Sequence, residues 1–103
     1  MALELTHASD NVFEDLGFDP EVAKVMAMRV DLMVAIERAI REKEWTQIEA
    51  AEVLGTRQSR VSDLVRGKAD KFTLDTLIEM AARIGTTVRM TIEQTNAPHG
   101  KPV

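Results

Sequence analysis

The sequence predicts a mainly α-helical domain of four or five helices with one C-terminal β-strand. Three observations lead there. Between Asp19 and Gly85, apolar residues recur at the three-, four- and seven-residue spacings of buried helix faces. The same stretch is punctuated by helix-starting residues (Asp19, Thr46, Thr73) and helix-stopping glycines (Gly55, Gly67, Gly85). Beyond it, Val88-Arg89-Met90-Thr91-Ile92 alternates apolar and polar residues and is rich in β-branched ones, the mark of a strand.

Residues 1–18 show no sustained period. Val12, Phe13, Leu16 and Phe18 are apolar and Gly17 interrupts them, so the segment reads as a tail followed by a short strand or turn that docks its aromatics on the body. Asp19-Pro20-Glu21 then starts a helix. Asp suits free N–H groups, Pro fits the first helical position, and Glu favours the positive end of the helix dipole. The run to about Glu44 holds no Gly or Pro, and Val22, Val25, Met26, Met33, Ile36 and Ile40 form one apolar stripe. Core packing accounts for its methionines more simply than a flexible partner groove does. This helix is long for its domain, which makes its first half a candidate surface for a second subunit.

Thr46 caps a second helix, Gln47–Leu54, and Glu49 completes a capping box. A third runs from about Arg57 to Arg66 and stops at Gly67. Lys68–Lys71 reads as a polar loop. Thr73 caps a fourth helix with Leu74, Leu77, Ile78, Ala81 and Ile84 on its inner face. The strand at Val88–Ile92 cannot stand alone, and its expected partner is Val12–Phe18 or its own copy in a second subunit. The chain thus divides into residues 1–18 (tail and docking segment), 19–95 (the domain) and 96–103 (an expected disordered tail).

The net charge is −4, and its distribution matters more than its sum. Residues 1–40 hold three basic side chains against eight acidic ones, whereas residues 57–71 hold Arg57, Arg60, Arg66, Lys68 and Lys71 against Asp63 and Asp70. A local cationic stretch can hold phosphates although the whole chain is acidic, because screening is strong beyond roughly 8–10 Å at physiological salt. The sequence has no cysteine, which excludes disulfides and thiolate metal sites. With no basic leader and no apolar run approaching about 20 residues, neither a signal peptide nor a spanning helix is expected, and the expected location is cytoplasmic.

Gln47 to Arg66 reads as a functional unit. Two helices joined by a short turn must pack closely. Ala51 is the small contact residue, Gly55 supplies the turn, and Val61 and Leu64 face inward, with Leu54 and Val53 helping to close the core. Gln58, Ser59 and Arg60 are left facing outward, able to reach base edges or phosphates. The pattern T-Q-x-x-x-A-x-x-x-G-x-x-Q-S-x-V-S-x-L-x-x-G-K lies at Thr46, Gln47, Ala51, Gly55, Gln58, Ser59, Val61, Ser62, Leu64, Gly67 and Lys68. With these residues the chain resembles the Cro and phage-repressor (xenobiotic-response-element) helix-turn-helix family. The wider likeness, from about Val12 to Ile92, is most similar to small HigA-type antitoxins, which pair with a RelE-like ribonuclease toxin.

The resemblance implies a repressor-like fold and a set of DNA contacts. Gln47 would donate to a phosphate. Gln58 would lie in the major groove, where an amide can bond N6 and N7 of adenine. Ser59 would be the adjacent base or phosphate contact, and Arg66 and Lys68 would hold the flanking backbone. Arg60 would clamp a phosphate or reach guanine. Asp63 would accept from cytosine N4 or repel the wrong register. Arg57 departs from the Ser or Thr usual in the family at the cap of the recognition helix; either Thr56 takes over the cap or the helix is less well capped, and Arg57 is then available to a phosphate. The expected function is that of a DNA-binding regulator, a homodimer on an operator in its own promoter, and the antitoxin of a RelE/HigB-like toxin. A stand-alone repressor and a protein-interaction module that has lost DNA reading are the alternatives.

No enzyme is expected, and no cofactor or metal site. His7 and His99 lie far apart in sequence, no Gly-rich phosphate loop occurs, and Ser59 and Ser62 have no histidine near them. Glu42 and Glu44 read as solvated charges. Trp45, just before the Thr46 cap, reads as core or as a hydrophobic staple.

Overall fold

The longest helix, Pro20–Glu42, starts on a proline, holds no other Gly or Pro, and is the one on which the rest is assembled. The computed structural model describes residues 2–5 and 10–92. Among these the order is β1 (Ala2–Leu5), α1 (Asp10–Asp15), α2 (Pro20–Glu42), α3 (Gln47–Leu54), α4 (Gln58–Val65), a 3-10 turn (Ala69–Lys71), α5 (Leu74–Arg83) and β2 (Thr87–Met90). The mainly helical architecture with a C-terminal strand is the one expected. The expected tail at residues 96–103, and both histidines, lie outside the described residues.

α2 touches β1, α1, α4, α5 and the 3-10 turn. Its second half sends Leu32, Met33, Ile36 and Ile40 into the main core, where they meet Leu54, Val61, Leu64, Phe72 and Leu77. Each such large side chain contributes about 1.5–3 kcal/mol of transfer free energy when fully buried. In the first half the buried residues are Ala23 and Ala27, while Val22 and Val25 stay exposed. This corrects the expected stripe. Alanine lets a neighbouring element approach closely, so the inner face follows the small residues and not the valines.

Every helix among the described residues ends on the same pair of backbone bonds, a Schellman closure. At α3, Thr56 N–H donates to Ala51 O (2.9 Å) and Gly55 N–H to Glu52 O (3.3 Å). At α4, Lys68 N–H donates to Asp63 O and Gly67 N–H to Leu64 O, each at 3.0 Å. α1 closes through Phe18 and Gly17, and α5 through Thr86 and Gly85. Four of the five left-handed positions are glycine; the fifth, at the end of α2, is Glu44 at φ 56°. There Trp45 N–H reaches Ile40 O (3.2 Å) and Glu44 N–H reaches Arg41 O (3.0 Å). Trp45 is half-buried against the core in the staple position, one residue before the cap of α3.

The strand partner differs from expectation. β2 pairs in parallel with β1 of the same chain, Ala2 opposite Thr87 and Leu5 opposite Met90. Val12–Phe18, the partner expected, instead forms most of α1 and the turn after it, where the Phe13 and Phe18 rings meet edge to face at 5.9 Å. A parallel pair needs a long crossover, and here all five helices supply it. Asp19 also departs from expectation. It stands at the N-cap of α2, but its side chain makes no capping hydrogen bond, and the cap rests on its carbonyl, which accepts from Ala23 N–H at 2.8 Å.

Candidate nucleic-acid interface

The frame of the site is set by two local devices. At the start of α3, Thr46 Oγ1 accepts from Glu49 N–H (3.1 Å) and Thr46 N–H donates to Glu49 Oε1 (3.0 Å), completing the expected capping box. The backbone N–H of Thr46, and then its side chain, hold the Glu49 carboxyl below its ordinary pKa of 4.5. This fixes the first turn of α3, which carries Gln47 at the positive end of the helix dipole.

The second device is the turn. Ala51 is buried where α3 meets α4, and Gly55 adopts φ 69°, ψ 36°. Its left-handed backbone is what calls for glycine there, and a flexible side chain crowds the same spot. A Cβ on Gly55 would lie 2.9 Å from Cζ and Nη1 of Arg83, which reaches over from the last turn of α5.

α4 buries Val61 and Leu64 and so turns the opposite face of its first turn outward. Arg57, Gln58 and Ser59 are all exposed there. Arg57 is the N-cap residue and its side chain makes no capping bond, so the less well capped helix is the one found. Among the described residues, no side-chain hydrogen bond or ion pair engages Arg57, Gln58, Ser59 or Arg66. Gln47 is half-buried at the first position of α3. These groups present amide, hydroxyl and guanidinium donors from two helix starts and one helix end.

The remaining sequence-predicted residues are engaged within the fold. Lys68 Nζ stands 3.7 Å from Asp63 Oδ1, so the two pair with each other. The Arg60 guanidinium lies over the Phe72 ring, 4.4 Å from its centroid, and Nη1 donates to Lys71 O at 2.9 Å. Sequence reading missed these partners because each belongs to the turn after α4, whose path no local pattern fixes. It also left Ile48 unassigned. That residue is 59% exposed beside Gln47, an apolar side chain left in solvent next to a candidate contact. Its signal was an apolar residue standing off the buried face of a short helix.

Two short helices held at a glycine turn, with the polar start of the second turned to solvent, define a helix-turn-helix domain, the class on which DNA-binding regulators are built. The chain matches a family model described as a helix-turn-helix domain over residues 12–93, and it belongs to that family. No curated protein matches it. No helix of the described residues is long and apolar enough to cross a membrane.

Proposed function

We propose that the protein is a sequence-specific transcriptional regulator that binds double-stranded DNA with the first turn of α4 in the major groove. The observation that carries this reading is the exposed, unengaged Arg57-Gln58-Ser59 triplet on a rigidly closed α3–turn–α4 frame. Around it, residues 57–71 hold five basic side chains against two acidic ones. Gln58 reads adenine, Ser59 contacts a neighbouring base or phosphate, and Gln47, Arg57 and Arg66 hold the backbone. Lys68 supports the flanking phosphates, with Asp63 tempering its charge.

One such module buries too little surface to select an operator alone, and symmetric readers place two copies on half-sites about one helical turn apart. A homodimer on an operator in its own promoter follows. Among the described residues β2 pairs with β1 alone, and its other edge supports a dimer surface, with Met90 55% exposed and Ile92 90% exposed beside it.

The finer reading is the antitoxin of a toxin–antitoxin pair in the cytoplasm, neutralising a RelE/HigB-like toxin. Its support is the wider likeness to HigA-type proteins and the character of the α1–α2 junction. Val12, Leu16, Phe18 and Val22 are exposed there among Glu14, Asp15, Asp19 and Glu21, a face suited to a basic protein.

The test is a mobility shift on the chain's own upstream DNA at two salt concentrations, with scrambled DNA as control. Retention of the authentic DNA alone is expected. Equal binding to both, or none at either salt, defeats the DNA-reading proposal. A neighbouring reading frame encoding a small basic protein that co-purifies separates the antitoxin from a stand-alone repressor.

A further inference from the structure

Arg60 sits one residue beyond the outward triplet of α4, yet its half-buried side chain folds back over the body of the protein. One face of the guanidinium is covered by the Phe72 ring at 4.4 Å, and Nη1 is used on the Lys71 carbonyl at 2.9 Å. Phe72 is itself in the core, 2% exposed. Arg60 therefore bridges from the third position of α4 to the far end of the turn that follows the helix. The near end of that turn is also tied to α4. Lys68 N–H closes on Asp63 O at 3.0 Å, and the Lys68 ammonium pairs with the Asp63 carboxylate. Residues 60 and 63 are three apart and share one side of the helix. That side holds a turn carrying Arg66, Lys68 and Lys71.

We infer that Arg60 is a positioning residue for DNA recognition and not a contact. It fixes the cationic turn at a set place relative to Gln58 and Ser59, so that phosphate holding and base reading share one register. This inference rests on the DNA-binding reading above. The physical reason is the planar fork of arginine, which can stack on a ring and donate in its own plane at once; lysine cannot do both. Turning the guanidinium out to a phosphate would uncover Phe72 and leave the Lys71 carbonyl without this donor. With the turn loosened, its charges still attract DNA but no longer from one position. Affinity for any DNA then survives better than the preference for the right DNA.

The experiment compares the full-length wild type with Arg60→Lys and Arg60→Met. The variants are titrated against operator and scrambled duplexes over a range of salt, and amide hydrogen exchange is measured without DNA. Both variants are expected to lose specificity, the operator-to-scrambled ratio falling roughly tenfold, about the effect of one mismatched base pair. Both should keep the wild-type salt slope. Exchange should quicken at Gly67–Phe72 and stay unchanged in α3. A phosphate contact would give a different pattern: Arg60→Met alone would flatten the slope, by about 0.9, and Arg60→Lys would behave as wild type. A guanine contact would confine the loss to one base position. Either pattern overturns the inference, as does a lowered melting temperature with an unchanged ratio. Wild type that selects no DNA overturns the underlying reading and this role with it. Unchanged exchange at Gly67–Phe72 overturns the clamp itself, whatever the DNA result.

Discussion

Glu44 offers a sharp test of how the helix ends are built. It occupies the left-handed position that closes α2, at φ 56°, where the other four closures use glycine. A residue with a Cβ is strained there by about 1–2 kcal/mol. Glycine removes that strain but has more freedom to lose on folding, which returns roughly 0.5–1 kcal/mol. The net expectation for Glu44→Gly is a gain of about 0.5–1 kcal/mol, or roughly 2–8 °C in Tm for a domain of this size. The carboxylate complicates the comparison, because a negative charge at a helix C-terminus is itself unfavourable. Glu44→Ala is the control: it removes the same charge and keeps the Cβ. Urea and thermal unfolding of both variants isolate the backbone contribution as the difference between them. If Glu44→Gly is no more stable than Glu44→Ala, the strain argument is wrong.

Other expectations follow from the same frame. Gly55→Ala should destabilise by about 1–2 kcal/mol for its left-handed backbone. Adding Arg83→Ala should recover only a small part in unfolding experiments, because the obstructing atoms end a flexible side chain. Gln58→Ala should weaken operator binding by roughly 1–3 kcal/mol and relax one base position, whereas Arg66→Ala should weaken all sequences alike and reduce the salt slope by about 1; anisotropy titrations over a panel of single-base variants distinguish the two. The folded pKa of Glu49 is depressed below 4.5, so its contribution is present above that pH and is lost as pH falls through the lowered value. The stability advantage of wild type over Glu49→Gln should therefore shrink below about pH 4.5, and an advantage that grows on acidification would contradict the capping box.

The helix-turn-helix was legible because its constraints are local. Thr46 with Glu49, the glycines at positions 55 and 67, and the apolar pair Val61 and Leu64 each act within one helical turn of themselves. The outward placement of Gln58 and Ser59 followed from that geometry by subtraction, whereas Arg60, expected beside them, is engaged by Phe72 and Arg57 takes the third exposed place. What escaped the sequence was non-local. Ala2–Leu5 is four residues long, too short to show a period, and its pairing with Thr87–Met90 depends on where the helices carry the chain. Ala23 and Ala27 gave no hydropathy contrast beside Val22 and Val25, although closeness of approach favoured the alanines. The folding back of Arg60 depended on Phe72, twelve residues on and across a 3-10 turn. An arginine reads the same in sequence whether it faces a phosphate or a ring.

The β1–β2 pair joins residues that stand 85 apart in the chain, Ala2 to Thr87 and onward in register. Closing a loop of that length costs on the order of 4 kcal/mol in chain entropy, more than a four-residue parallel ladder can be expected to offset. The helical body must therefore bring the two strands together before they can pair, which makes the ladder a late clasp in the order of folding. Val88→Ala should then speed unfolding and leave the refolding rate nearly unchanged in stopped-flow traces; a matching loss in the refolding rate would place the clasp in the nucleus instead. A clasp that closes last is also the first to open. When it does, the freed edge of β2 is an acceptor for the same segment of a neighbouring copy, and an exchange of that kind would conserve every ladder bond.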